Sequence, residues 1–315
     1  MSDASIVVIG NANVDLTTYV ETHPVEGATV LGHDFTIGMG GKGANQAVAA
    51  ARAGGSVSLI GRIGDDSFGQ FVTTHLSAEG LDLTHLETIS GKTGVASIYV
   101  DKAGSNRIAV FPGASGTIDG PLAMASVAAH PHMRYLVSQL EMRQEAVAEA
   151  LTSAKNSGAT TVLNIAPYSP LRAGIIENTD WLIANEVEIA DLFRDRGLTS
   201  PTGFDPPSLA SSLPGWADEL GCNVVITLGE QGAIGYLPGE EPVHVPSPAV
   251  TAVDTVGAGD CFVGFFVSFM DQGLTWPEAL AGGVLAASES VQRPGAQSSY
   301  PSRDEAERII AAARK

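Results

Sequence analysis

The sequence predicts an α/β fold, a doubly wound and mostly parallel sheet flanked by helices, from two observations. Short β-branched runs alternate with Ala-rich stretches of helical period along most of the chain, which is the pattern of crossover units. Two segments break that alternation and read as strand after strand, which adds a small antiparallel β lid to the body. With 315 residues, 44% of them hydrophobic, the chain can bury a substantial core in one large domain or two small ones.

Taken in order, residues 6–9 form the first strand, followed by a helix around 44–53, a strand over 57–60 and a helix around 68–77. Further strands fall at 135–137, 161–165, 181–184 and 224–227. Residues 304–315 close the chain as a helix, with basic residues at the end that the dipole favours. The interruptions are 13–37 and 93–112, where turns such as Lys102-Ala-Gly-Ser105 separate strands without a helix. Both leave and re-enter the body, assigned to 1–12, 38–92 and 113–315, so they are expected to pair and cover the site. Each hairpin leaves a sheet edge, and a homodimer joined through the lids would cover it.

Composition narrows the function. A formal charge of −18, from 17 basic and 35 acidic residues, argues against nucleic acid or an anionic membrane as partner. The two cysteines, Cys222 and Cys261, form no CxxC pair and fit a reducing compartment. The opening residues lack the basic start and long apolar run of a signal peptide, and no apolar stretch is long enough to span a bilayer, so a cytoplasmic protein is expected. The seven histidines are scattered, without the spacing of a zinc site.

In sheets of this kind ligands sit beyond the carboxyl ends of the strands, so the loops there are where chemistry is sought. Gly38-Met-Gly40-Gly-Lys-Gly43 satisfies G-x-G-x-x-G, yet a dinucleotide-binding turn should close the first strand, which ends at Gly10. Nor is it a P-loop, because Lys42 is followed by Gly43. The glycines instead lead into an Ala-rich helix through Gly40-Gly-Lys-Gly-Ala-Asn-Gln46. Such a helix start serves tight packing, and equally lets a ligand approach the backbone while Lys42 and Asn45 donate to hydroxyl oxygens.

The second segment is Asp254-Thr-Val-Gly-Ala-Gly-Asp260, where three small residues open a helix whose free N–H groups form a nest for an anion. Asp260 in the first turn is either a dipole-stabilised acid or a carboxylate placed to accept a hydroxyl proton while the amides hold phosphoryl oxygens. Cys261 points away from it and reads as packing. Phe262, Phe265, Phe266 and Phe269 read as core.

These two segments resemble the paired signatures of the ribokinase-like (PfkB) carbohydrate kinases. The likeness extends through Gly10-Asn-Ala-Asn-Val-Asp15, Gly64-Asp-Asp66, Gln139-Leu-Glu141, Asn185-Glu-Val-Glu188, Thr227-Leu-Gly229 and Gly295-Ala-Gln297. It implies a magnesium-dependent kinase that uses ATP to phosphorylate the 5-hydroxyl of a free pentose, D-ribose foremost. Another sugar, deoxyribose or a nucleoside is the alternative acceptor, and a non-catalytic sugar sensor the remaining reading.

By the same resemblance Asp260 is the base and Gly257, Ala258 and Gly259 supply the anion hole. Asn13, Asp15, Gly41, Lys42, Asn45, Glu141 and Asp260 would bind the sugar, with Ile98 touching it from the lid; the Asp15 carboxylate can accept two hydroxyl protons at once. The nucleotide falls to Asn185, Thr227, Gly229, Gly232 and Gly259, and Mg2+ to Glu188, largely through water; Asn185 and Glu188 could equally cap a helix. Asp254, Val256, Ser290, Arg293, Gly295 and Ser299 match the positions of an activating K+. The chain departs from the family pattern at Val25-Glu-Gly-Ala28 and Gly113-Ala-Ser-Gly116, near the lid, and in the bulkier loop Ala166-Pro-Tyr-Ser-Pro170.

Overall fold

The computed structural model describes residues 4–198, 201 and 203–315. In chain order the strands are β1 (Ile6–Ile9), β2 (Asn13–Val20), β3 (Gly32–Gly40), β4 (Val57–Gly64), β5 (Leu86–Ile89), β6 (Gly94–Asp101), β7 (Asn106–Phe111), β8 (Tyr135–Ser138), β9 (Thr160–Asn164), β10 (Trp181–Asn185), β11 (Asn223–Thr227), β12 (Ala233–Tyr236) and β13 (Val243–Val245). The helices are α1 (Lys42–Arg52), α2 (Ser67–Ala78), α3 (Gly120–Ala128), α4 (Gln144–Asn156), α5 (Glu186–Arg196), α6 (Pro206–Leu220), α7 (Ala258–Asp271), α8 (Trp276–Ser290) and α9 (Arg303–Ala313).

The larger sheet runs in the order β13-β12-β11-β10-β9-β8-β1-β4-β5. It is parallel from β11 to β5, and only the pairings of β12 with β11 and β13 are antiparallel. Successive side chains of a strand point to opposite faces. Ile6 and Val8 therefore enter the core under α1, α7 and α8, while Val7 and Ile9 enter the one under α4, α5 and α6. That is why the strands read as unbroken apolar runs rather than alternating ones. One connection departs from the expected alternation: β9 passes to β10 through a loop with a single short 3-10 turn, Ile176–Asn178, in the proline-bearing stretch after Ile165.

From β1 the chain first builds outward to β4 and β5, then returns to lay β8 on the other side of β1. The order reverses between β1 and β8, so the crevice beyond their carboxyl ends is the topological switch point. Asn11 follows β1, and Gln139 and Glu141 follow β8. The hydrogen bond from Asn11 Nδ2 to Glu141 Oε2, 2.7 Å, spans that crevice.

A second sheet has the order β3-β2-β6-β7. The pairs β2–β3 and β6–β7 are antiparallel, as expected of the two interrupting segments, and the hairpins join through a parallel β2–β6 pair beginning at Asn13 and Gly94. A Cβ on Gly94 would lie 2.1 Å from Asn13 Oδ1, so glycine is required where the hairpins meet. No helix among the described residues is long and apolar enough to cross a membrane.

Helices α1 and α7 lie against each other on one face, and small residues set their distance. A Cβ on Gly264 would sit 2.5 Å from Ala49 Cβ and 2.6 Å from the Gln46 carbonyl oxygen. The rest of α7 is anchored by Phe262, Phe265, Phe266 and Phe269, each at most 2% exposed and each contributing about 2–3 kcal/mol by burial. Gly264→Val should force the helices apart, costing roughly 1–3 kcal/mol of stability in chemical denaturation. Because both site segments open these helices, catalytic turnover should fall with it.

Candidate active site

The N-terminus of α7 is held open. Gly257 takes φ +75°, a left-handed conformation that favours glycine, and a Cβ there would meet the Tyr300 hydroxyl at 2.7 Å. The Gly257 carbonyl accepts from Tyr300 Oη at 3.1 Å and from the Cys261 amide at 2.8 Å. Burial, then the charge of Asp260, pushes the Tyr300 phenol well above its usual value, so it remains a neutral donor. Ala258 N–H makes a long bond of 3.3 Å to the Thr255 carbonyl, while Gly257, Gly259 and Asp260 have no backbone acceptor among the described residues. These amides are open to an anion, with no side-chain cap in the way.

Asp260 is 5% exposed, yet both of its oxygens have partners. Asn45 Nδ2 donates to Oδ2 at 3.0 Å and Gln46 Nε2 donates to Oδ1 at 2.9 Å. Asn45 Oδ1 in turn accepts from Gln297 Nε2 at 2.9 Å. Cys261 beside it is fully buried and its thiol is raised far above its ordinary value by burial, which fits the packing role expected of it.

Around this carboxylate the fold gathers most of the residues expected to bind a sugar. Asp15 projects from β2, and a Cβ on Gly40 would sit 2.1 Å from its Oδ1, so the glycines before α1 make room for the carboxylate. Burial, then Glu141 and Asp260, pushes Asp15 up to about 6. Lys42 opens α1, and its backbone amide reaches Glu141 Oε2 at 3.3 Å. Its ammonium is held above its usual value chiefly by Asp260, with Glu141 and Glu188 adding to it against the effect of burial. The Asn13 Oδ1 acceptor is buried without a partner, as a site awaiting a hydroxyl donor requires. Gly41 sits at φ +87° against the backbone of residues 11–13. Ile98 is half-buried on β6, in register with Thr17 of β2, two residues beyond the Asp15–Ala96 pair and on the same sheet face.

Beyond the anion nest opens a cavity of about 770 Å³ lined by Thr227, Gly229, Gly232, Ala258 and Gly259. Its apolar wall comes from Val250, Ala252, Phe262, Val284 and Val291, with Ser247 and Ser288 at its edge. Phe262 thus serves both the core and the cavity. Asn185 and Glu188 form a reciprocal cap on α5, each side chain accepting from the other's backbone amide at 2.9 Å. The structural alternative for this pair is therefore realised, though it engages only Oε2 of Glu188. Burial raises that carboxyl above its usual value, with Lys42 opposing and Asp260 reinforcing the shift.

The positions matched to a monovalent cation share a region, but their side chains are engaged elsewhere. Asp254 accepts from the amides of Val256 at 3.0 Å and Gly295 at 2.8 Å, stapling two loops. Ser290 and Ser299 donate to carbonyls of their own turns, and Arg293 pairs with Glu305. Sequence reasoning gave no role to Asn11, Gln46, Gln139, Asn164 or Gln297, the carboxamides that bind these groups together, nor to the loop 247–252 that walls the cavity. An uncharged polar residue inside an Ala-rich helix, as Gln46 is, was the available signal.

A carboxylate fixed beside open helix-start amides, a lysine ammonium and a cavity of nucleotide size together make a site for moving an anionic group onto a hydroxyl. Comparison with known proteins agrees. The description pfkB family carbohydrate kinase matches residues 3–303. The chain is 36% identical over 310 residues to ribokinase from Schizosaccharomyces pombe, covering 95% of each. It is 36% identical over 299 residues to deoxyribokinase from Salmonella typhi, covering 94% of this chain and 95% of that one. The solved structure of Arabidopsis thaliana ribokinase complexed with ribose and ATP superposes with a TM-score of 0.87 at 26% identity, covering 98% of this chain and 99% of that one. The chain belongs to the pfkB family of carbohydrate kinases, and is an enzyme of that type.

Asp15 sets a pH signature. Its folded value of about 6 lies above the ordinary 3.8, so its contribution to stability is complete below 3.8 and lost as pH rises through about 6. Asp15→Asn should therefore raise stability at pH 7.5, on the order of 1–3 kcal/mol in thermal unfolding, while sugar affinity collapses. In the parent chain, calorimetry should show sugar affinity weakening as pH falls below about 6, where the carboxylate takes up its proton.

Proposed function

We propose that the chain transfers the γ-phosphoryl group of ATP to the 5-hydroxyl of D-ribose, giving ribose 5-phosphate and ADP. The observation that carries this reading is Asp260, whose two oxygens are held by Asn45 and Gln46 at the opening of α7 beside the free amides. In the proposed reaction the sugar hydroxyl lies against this carboxylate, which takes its proton as the hydroxyl oxygen bonds to phosphorus. The bond from phosphorus to the bridging oxygen breaks, and ADP departs with that electron pair. Phosphoryl transfer depends mainly on position and charge, so Asp260 need only orient the hydroxyl and accept a late proton. The amides of Gly257, Ala258 and Gly259 receive the phosphoryl oxygens, and Lys42 balances their charge.

Asn13, Asp15, Lys42, Asn45 and Glu141 present acceptors and donors suited to a polyol, with Gly41 allowing close approach and Ile98 adding an apolar contact. Asn185, Thr227, Gly229, Gly232 and Gly259 belong to the nucleotide side. Glu188 fits Mg2+ through water, because Oε1 lies outside the α5 cap and its buried charge favours a cation. When bound, Mg2+ offsets the charge of the β- and γ-phosphates. K+ would be held by backbone carbonyls near Asp254, Val256, Ser290, Arg293, Gly295 and Ser299, since the Asp254 oxygens already accept two amides. Exposed Phe35, Ile37, Ile108 and Val110 on the lid strands support a homodimer through the lid. The two free, buried cysteines support a cytoplasmic setting.

The 36% identity to a deoxyribokinase favours a second reading, with deoxyribose as acceptor. A coupled ADP assay over ribose, deoxyribose, other sugars and nucleosides decides between them. Ribose should give the highest kcat/KM, and a higher value for deoxyribose would reverse the assignment. Asp260→Asn should lower kcat by at least about 100-fold with sugar binding preserved; near-normal turnover would remove Asp260 as base. Rates should be higher in K+ than in tetramethylammonium, and equal rates would exclude a cation site.

A further inference from the structure

Gln46 is wholly buried on α1 and belongs to no group that faces the sugar or the nucleotide. We propose that Gln46 is a positioning residue for the base, locked by Gln139 so that the Asp260 carboxylate keeps the orientation that receives the hydroxyl proton. This rests on the reading of Asp260 as base and adds to it. Gln46 Nε2 donates to Asp260 Oδ1 at 2.9 Å and to Asn164 Oδ1 at 3.1 Å, while Gln139 Nε2 donates to Gln46 Oε1 at 2.6 Å. Both amide hydrogens and the carbonyl are thereby engaged.

The side chain cannot exchange its oxygen and nitrogen. That flip would set its oxygen against Asp260 and Asn164 oxygens, and its NH2 against the Gln139 donor. The supports are held differently: Asn164 Nδ2 donates to the Ile183 carbonyl at 3.1 Å, while Gln139 Oε1 is buried against Gly10 without a hydrogen-bond partner, where a Cβ would approach within 2.3 Å, so packing rather than a bond holds that end. Residues just past β8, at the end of β9 and within β10 thus hold one carboxamide on α1, which holds one carboxylate on α7. A buried carboxamide with both amide hydrogens and its carbonyl engaged is held to a single arrangement.

Gln46→Met keeps the volume and removes both functions; Gln139→Met leaves Gln46 in place but unlocked. The groups that face Asp260 electrostatically, Lys42 on α1, Asp15 on β2, Glu188 on α5, Cys261 and Tyr300, are unchanged in both. In the coupled ADP assay, Gln46→Met should lower kcat by about 10- to 100-fold, the scale of a misplaced catalytic group. Calorimetric affinities for sugar and nucleotide should stay within about threefold, as for an interaction used mainly in the transition state. In an Asp260→Asn background Gln46→Met should bring no further fall in residual turnover. A kcat near that of the parent, or an equal loss in the Asp260→Asn background, would overturn the proposal. If Gln46→Met does not fold, Gln139→Met carries the test: a smaller fall in kcat with sugar and nucleotide affinities preserved supports the lock, and an unchanged kcat overturns it. A parent chain that phosphorylates no sugar would instead defeat the reading of Asp260 as base.

Discussion

The site depends on a single carboxylate shared between two helices. Asp260 opens α7, and its oxygens are bound by Asn45 and Gln46 in the first turns of α1. Those bonds form only because alanines on α1 and Gly264 on α7 bring the backbones close. The same approach sets two glycine-rich helix N-termini side by side, one carrying Lys42 and one carrying the open amides after Gly257. If the helices separated, the carboxylate would lose both donors and the N-termini of α1 and α7 would no longer face a common space. The phenylalanine face of α7 therefore supports the site as much as the core.

Electrostatically, the site concentrates acids around one ammonium. Asp15, Glu141, Glu188 and Asp260 all lie within range of one another or of Lys42, and burial raises Asp15 and Glu188. Such a cluster opposes folding at neutral pH and suits ligands that bring hydroxyl protons or cations. In the proposed reaction the phosphates of a nucleotide would meet backbone amides and one lysine instead. This is how a chain of charge −18 can present an anion site without a basic surface.

Much of this organisation was legible in the sequence. The parallel strands of the body follow from continuous apolar runs, and the second sheet from hairpin turns where no helix intervenes. Two short motifs marked the starts of α1 and α7 because glycine, lysine and aspartate at those spacings have few other uses in combination. The parallel junction of the two hairpins was not legible, since it pairs residues 81 positions apart, Asn13 with Gly94 through Val20 with Asp101, on strands that leave the body side by side. Nor was the cap made by Asn185 and Glu188 distinguishable from a ligand site, because one carboxylate can serve a backbone amide and still keep an oxygen free.

The sequence by itself determined the fold class, the glycine-rich helix starts and the acid at the opening of α7, because local periodicity, backbone freedom and helix-end chemistry are properties of neighbouring residues. Only the tertiary structure decided what holds that acid. Gln46, Gln139, Asn164 and Gln297 come from separate elements of the chain, and an uncharged carboxamide does not announce from sequence which partner it will bind. Their hydrogen bonds exist only after burial has brought them together and left each polar atom in need of a partner.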